Sequence, residues 1–422
     1  MTLFPTIGTY LLIKYFKNKN NLNFLITNKF SIFFGKISYS LYLWHFPFIS
    51  FIIIQNIKPN NFLFLLYFFT IITLSFLTFK FIETPFRNKK IISNKKFFIY
   101  LFFSLISFIL AVSYVIKNKG LPNRFDKFYL SYDFEKPSYN NFAINEKSCF
   151  RRNANFCKSE DNDSRKKIIL IGDSHASVLQ RELHKYLKQH NYDFIFATYS
   201  FLYLQDTILI NKNTRIKNED YEIYSNNLKK LIDESPPSII IYHGRYSLYT
   251  NGKYFNNNEG GDEGGRSEYG NIYISNNYTE IEIEKRIIET IKEFEKKNHK
   301  IIIIYPVPEV GWNAPRYIMN KFRYKMNENI NFLLNSKKNW LTTSYEVYSN
   351  RNKKILDSFN QLNSKNISIV NPANFFCNNI INNRCIIHDD RFIYYYDYDH
   401  LSTQGSKIII NMISNIIKNN LN

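Results

Sequence analysis

The chain has 422 residues, room for two or three domains, with 55 Lys and Arg against 35 Asp and Glu and a formal net charge of +20. Residues 1–120 hold 14 of the basic residues against a single acid, Glu83, and are also the most apolar part. Basic residues that flank hydrophobic spans report membrane topology; nucleic-acid binding, which needs a basic stripe on a soluble domain, is not expected.

Four apolar stretches open the chain: Leu3 to Tyr15, Ile37 to Ile57, Phe62 to Ile82 and Phe97 to Ile116. The last three approach the roughly twenty residues of a spanning helix, and the first is short. Lys17, Lys19 and Lys29 lie between the first and second, and Arg87, Lys89, Lys90, Lys95 and Lys96 between the third and fourth. Both loops should therefore be cytoplasmic, with the connection around Lys58 to Asn61 and everything after Ile116 outside. By parity Met1 starts outside, before a weak span and without a signal-peptide pattern, so further helices are expected upstream. The cysteines form two close pairs, Cys149 with Cys157 and Cys377 with Cys385. No Cys-x-x-Cys or neighbouring histidine suggests zinc, and no metal is expected. Two small disulfide loops in an oxidising compartment fit best, with four free thiols as the alternative.

From Lys117 to Asp163 the chain is polar, with a break at Gly120-Leu121-Pro122, and reads as linker and lead-in. Apolar, β-rich runs follow at Ile168 to Ile171, Phe194 to Ala197, Ile239 to Tyr242, Ile301 to Tyr305 and Ile367 to Val370. Between them Ser177 to His190, Glu219 to Glu234 and Ile281 to Lys297 carry apolar residues at helical spacing. This alternation predicts an α/β domain: a buried parallel sheet with helices on both faces. The Gly-rich stretch Glu259 to Gly270 carries four acids and lacks the Lys of a phosphate loop. It reads as a mobile surface loop, a candidate lid.

Gly172-Asp173-Ser174-His175 ends the first of those strands and Asp397-Tyr398-Asp399-His400-Leu401-Ser402 precedes the last helix. A serine on a strand-to-helix turn is presented at the carboxyl edge of the sheet, where helix amides can hold an oxyanion. Asp397, three residues before His400, is spaced to orient the imidazole that takes the proton of Ser174, which leaves Asp399 the lesser role. Each half has a bland alternative, a common turn and a helix cap with a surface histidine. The pair, in this order, resembles the SGNH hydrolase superfamily and implies acyl chemistry through an acyl-serine. That superfamily commonly adds Gly and Asn donors to the serine amide. Here Thr198-Tyr199-Ser200-Phe201 has no glycine and His243-Gly244-Arg245-Tyr246 no asparagine. Gly244 and Arg245 are the oxyanion candidates beside Ser174, a surface charge being the alternative for Arg245.

Lys36-Ile37-Ser38-Tyr39-Ser40-Leu41-Tyr42-Leu43-Trp44-His45-Phe46-Pro47 and Phe81-Ile82-Glu83-Thr84-Pro85-Phe86-Arg87 resemble the end of an acyltransferase-3 membrane domain. The stretches Gly120 to Phe125, Tyr305 to Trp312 and Asp397 to Ser402 resemble the subgroup fused to an outward SGNH domain. The resemblance implies a truncated membrane domain (1–90), an extra transmembrane helix (91–120), a lead-in (121–163) and a flavodoxin-like SGNH domain (164–422), after about four membrane helices. Tyr39, Ser40, His45, Pro47 and Glu83 are the membrane-motif residues. It further implies an O-acyltransferase of the inner membrane with a periplasmic C-terminal domain, modifying a cell-surface glycan such as lipopolysaccharide O-antigen. The donor would be acyl-CoA, with no bound cofactor; the partners would be glycan, membrane lipid and a separately encoded N-terminal acyltransferase portion that supplies the missing helices. A carbohydrate esterase and a non-catalytic glycan-binding remnant are the alternatives.

Overall fold

A computed structural model describes residues 3–15, 28–54, 61–118, 120, 149, 156–159, 167–323, 337 and 340–421. The chain divides into two compact units, Met1–Pro122 and Asn123–Asn422. Lys17, Lys19, Lys58 and nearly all of the lead-in 121–163 lie outside the described residues.

The first unit is helical: α1 (Leu3–Tyr15), α2 (Lys29–Ile54), α3 (Asn61–Thr78), a π-helical turn (Phe79–Glu83), α4 (Thr84–Arg87) and α5 (Asn94–Lys117). Among the described residues two helices are long and apolar enough to cross a membrane, Phe62–Arg87 and Asn94–Lys117, not the four expected. The 13 residues of α1 span only about 20 Å against a hydrocarbon core of about 30 Å. Helix α2, with 26 residues, is not one of the two.

The two membrane motifs meet. Buried Ser40 donates its hydroxyl to Glu83 Oε2 at 3.0 Å, and Arg87 pairs with Glu83 at 2.7 Å. Trp44 Nε1 donates to Thr78 Oγ1 at 2.9 Å, a second tie between α2 and α3. His45 is part of neither: its Nδ1 lies 2.7 Å from the Tyr42 carbonyl, one turn back on its own helix. Tyr39 is exposed and Pro47 lies inside α2.

Among the described residues the second unit holds ten strands: β1 (Cys157–Lys158), β2 (Lys167–Gly172), β3 (Asp193–Thr198), β4 (Thr207–Asn211), β5 (Ile239–His243), β6 (Asn271–Ser275), β7 (Lys300–Ile304), β8 (Thr342–Ser344), β9 (Ile367–Val370) and β10 (Arg384–Ile386). Six form one sheet in the order β1-β3-β2-β5-β7-β9. All five expected strands are there and pair in parallel. The sheet is nonetheless mixed, because β1 runs antiparallel along β3. That edge comes from residues upstream of 164, where only two residues pair and the pattern is too short to read in the sequence.

Successive side chains of a strand point to opposite faces, and here both faces are covered. Ile168 and Leu170 pack with Leu183 and Leu187 of the helix Gln180–Gln189 and with Ile409, Ile413 and Ile417 of Thr403–Leu421. Ile169 and Ile171 pack with Tyr221 and Tyr224 of Glu219–Glu234, Ile287 and Ile291 of Ile283–Lys296, and Phe359 of Tyr345–Phe359. Tyrosines can fill this second face because their hydroxyls find carbonyls: Tyr224 donates to Ala197 O at 2.9 Å and Tyr242 to Tyr203 O at 2.7 Å. Both expected disulfides form, Cys149–Cys157 at the β1 edge and Cys377–Cys385 beside β10.

The chain leaves β2 toward β3 on one side and later returns to place β5 on the other. The carboxyl end of β2 is therefore the topological switch point, the usual ligand crevice of an open α/β sheet.

Candidate active site

Gly172 closes β2 with φ +155°, and a Cβ there would lie 1.7 Å from the His243 carbonyl oxygen at the end of β5. Only glycine lets the two strand ends approach this closely. The next residue fixes the turn: Asp173, 1% exposed, accepts from His175 N at 2.8 Å on Oδ1, and from Arg245 N at 2.8 Å and Tyr249 Oη at 2.9 Å on Oδ2. It caps the short helix Ser174–Ser177 and ties it to the loop after β5. Ser174 thus stands at the switch point.

The segment before the last helix folds on Asp397. Its Oδ1 accepts the N–H groups of Asp399 at 3.1 Å and His400 at 2.8 Å, the local turn that short acidic side chains favour. From outside, Val310 N and Gly311 N donate to Tyr398 O, both at 2.9 Å, and Ala314 N donates to Asp397 O at 3.1 Å. The Pro-Val-Pro-Glu-Val-Gly-Trp stretch after β7 is therefore the cradle of the Asp-x-x-His loop.

These supports bring the two halves together. His400 Nε2 lies 2.8 Å from Ser174 Oγ, and His400 Nδ1 lies 2.9 Å from Asp397 Oδ2. His400 is 18% and Asp397 24% exposed, so the group faces solvent at one side. With Nδ1–H donating to the carboxylate, Nε2 is the free acceptor for the serine hydroxyl. Burial works against an imidazolium, but the charges and hydrogen bonds of Asp399 and Asp397 outweigh it and hold the His400 pKa well above its ordinary value.

Asp399, expected to be the lesser acid, also faces the imidazole: its Oδ1 is 3.3 Å from His400 Nδ1 and its side chain is only 6% exposed. Its Oδ2 lies 3.0 Å from His175 Nε2 and 3.0 Å from Arg245 Nη1. Burial would raise its pKa; Arg245, then His400 and His175, hold it well below the usual carboxylate range.

Arg245 does not have the arrangement expected of an oxyanion donor or a surface charge. It is 8% exposed, its Nε donates to Glu309 Oε1 at 2.6 Å, and its terminal nitrogens meet Glu263, Glu309 and Asp399. With its backbone N–H on Asp173, its donors are already committed. Gly244 sits beside them, where a Cβ would come within 2.7 Å of Leu202 Cδ1 and 3.1 Å of Asp173 Oδ2. The Ser174 and Gly244 amides remain the oxyanion candidates.

The Gly-rich stretch is not a free lid. Asn257 and Glu263 are buried; Asn257 Nδ2 donates to Val310 O at 2.8 Å, and Glu263 takes Phe255 N at 3.0 Å besides Arg245. Arg384 pairs with Glu259 at its other end through two nitrogens. Among the described residues, His175, Asp399 and His400 also bring possible metal-ligand atoms within 4.8 Å of one another. The Arg245 guanidinium already supplies Asp399 with its cation.

A family model described as the SGNH domain fused to AT3 domains matches residues 143–415, well over half of the chain. No curated protein matches it. Among solved structures the chain is similar to the periplasmic domain of a lipopolysaccharide acetyltransferase of Salmonella ser. Paratyphi A, at 18% identity over 61% of this chain and 85% of that one, TM-score 0.38. It is also similar to the acetyl xylan esterase AlAXEase, at 15% identity over 60% and 99%, TM-score 0.29. With a model of that family spanning both Ser174 and the Asp397 to His400 loop, the chain belongs to the family of SGNH domains fused to AT3 domains.

Proposed function

We propose that this chain is an O-acyltransferase of the bacterial inner membrane whose periplasmic SGNH domain carries the acyl group on Ser174 and passes it to a hydroxyl of a cell-surface polysaccharide such as lipopolysaccharide O-antigen. The observation that carries the reading is the assembled line from Ser174 Oγ through His400 to Asp397, at 2.8 and 2.9 Å, at the switch point of the sheet. In the first half-reaction His400 Nε2 takes the Ser174 proton as the Oγ electron pair bonds to the acyl carbon. The imidazolium then protonates the leaving group. In the second, the acceptor hydroxyl gives its proton to Nε2, attacks the acyl carbon, and Ser174 leaves with a proton returned from His400. Asp397 keeps Nδ1–H in place throughout, and the amides of Ser174 and Gly244 receive the oxyanion. Acyl-CoA is the cytoplasmic donor in this scheme.

A second reading, a carbohydrate esterase, draws support from the partial exposure of His400 and Asp397, which lets water reach the acyl-serine. One experiment addresses both. The full chain in lipid nanodiscs is treated with p-nitrophenyl acetate, quenched in acid and mapped by mass spectrometry. An acetyl group on the Ser174 peptide, absent in Ser174→Ala, is expected, and its release to added oligosaccharide in preference to water favours the transferase. No acetylation at Ser174 would remove both readings.

A further inference from the structure

His400 is backed by more than the aspartate its spacing assigns. Nδ1 faces Asp397 at 2.9 and 3.2 Å and Asp399 at 3.3 Å. Behind Asp399 runs a buried ionic chain: Arg245 Nη1 at 3.0 Å, then Glu309 and Glu263 on the same guanidinium, then Arg351 on Glu309. The side chains of Glu263, Glu309 and Asp399 are 0%, 4% and 6% exposed. The buried chain thus sets three carboxylates against the two guanidiniums of Arg245 and Arg351; Arg266, 54% exposed, reaches Glu263 from outside at 3.4 Å. A buried excess of negative charge is costly unless a nearby cation offsets it. His400 becomes that cation when it takes the serine proton.

We propose that Asp399 is a positioning residue for the acyl-transfer step, held by Arg245 and, through it, by Glu263 of the Gly-rich loop, so that the imidazolium of His400 forms between two carboxylates. The proposal rests on the reading of Ser174 and His400 given above. The Gly-rich loop thereby takes part in the chemistry. Glu263, with φ +51°, is carried inward by a backbone that its glycine neighbours permit, and sets the charge behind the base from a segment outside both catalytic motifs. The groups that face His400 are Asp397 and Asp399 of its own loop, Ser174, the His175 ring at 4.8 Å, the stacked Tyr396 ring at 5.5 Å and, across Asp399, Arg245. Of these only Asp399 connects the imidazole to the buried chain.

The test is the pH dependence of kcat/KM for p-nitrophenyl acetate hydrolysis by the full chain in nanodiscs, for wild type, Asp399→Asn and Glu263→Gln. Glutamine removes the charge and keeps one acceptor oxygen, with an amide in place of the other. With one carboxylate gone the imidazolium loses support, so the acid limb should move to lower pH in both variants, further in Asp399→Asn. The plateau should fall roughly 10–100-fold in Asp399→Asn and less in Glu263→Gln. Should Asp399→Asn fail to fold, as judged by its melting curve, Glu263→Gln decides alone. A limb that stays in place, or moves to higher pH, in a folded variant overturns the proposal. Ser174→Ala run alongside separates the two ideas: full activity in that variant sinks the acyl-serine reading itself, whereas its inactivity together with unmoved limbs sinks only the role of Asp399.

Discussion

Gly172→Ala tests how the site is held. The new Cβ would lie 1.7 Å from His243 O and 2.7 Å from the Ala176 side chain, and φ +155° is a conformation L side chains rarely adopt. The near obstacle is backbone at the end of the central strand β5, so relief requires β2 and β5 to part. Overpacking at about 1–3 kcal/mol and backbone strain at about 1–3 kcal/mol together give a loss of about 2–6 kcal/mol. That corresponds to a melting temperature roughly 4–24 °C lower for a unit of this size. Two other glycines calibrate the measurement. Gly252→Ala has an open surrounding but φ +63°, and should cost about 1 kcal/mol. Gly270→Ala has neither obstacle and should stay within about 0.5 kcal/mol of wild type. Melting curves by circular dichroism on the full chain in detergent give all three. Equal melting of Gly172→Ala and Gly270→Ala would refute the close approach of the strand ends. Activity should fall further than stability, because parting β2 from β5 also pulls Asp173 from Arg245 N and Tyr249.

Ser174→Ala and His400→Ala should each lower kcat/KM for p-nitrophenyl acetate by roughly a thousandfold or more, and the double variant should cost little beyond that; additive losses would contradict a shared proton transfer. Asp397→Asn should lose less than either, because Asp399 still faces Nδ1; a loss as deep as that of His400→Ala would assign the orientation of the base to Asp397 alone. Stability should peak near neutral pH. Burial, then His175, pushes the pKa of His243 down to about 4, so its contribution is complete above the unfolded value of about 6.5 and disappears as pH falls toward 4, about 3 kcal/mol in all. His400 acts in the opposite sense: its folded pKa is raised, so its contribution is present below about 6.5 and is lost as pH rises through the folded value. Melting temperatures from pH 4 to 9 read both limbs, and His243→Asn should flatten the acid one; a flat acid limb in wild type would contradict a buried neutral His243.

Much of the second unit is legible in the sequence because its signals are local. Five apolar, β-rich strands, the glycine before Asp173-Ser174 and the three-residue spacing of Asp397 and His400 each need only a few neighbouring residues to be recognised. The two-residue strand β1 carries no periodicity of its own. Arg245, Glu263, Glu309 and Asp399 are harder for another reason: charged residues in loops usually belong to the surface, and only the tertiary fold brings four such positions into one dry chain. Two of them do lie in motifs that the sequence displays, Glu309 in Pro-Val-Pro-Glu-Val-Gly-Trp and Asp399 in Asp-Tyr-Asp-His. The Gly-rich loop misleads most, since its glycines signal freedom whereas here they permit an inward turn. In the first unit, hydropathy marks apolar length but is blind to the Ser40 to Glu83 contact.

The π-helical turn at Phe79–Glu83 has a consequence for how the first unit tolerates change. Thr84 N bonds back to Phe79 O, so the turn holds one residue more than an α-helical one. That extra residue acts as a phase shift: everything C-terminal to it is rotated by about 100° relative to an uninterrupted helix. Glu83 reaches Ser40 on the neighbouring helix by virtue of this offset. A single-residue deletion between Phe79 and Ile82 would lengthen no loop and break no apolar run. By closing the wide turn to an α-helical one it would leave the carboxylate on the face that meets Ser40, whereas the same deletion in the α-helix before the turn would swing everything after it by about 100°.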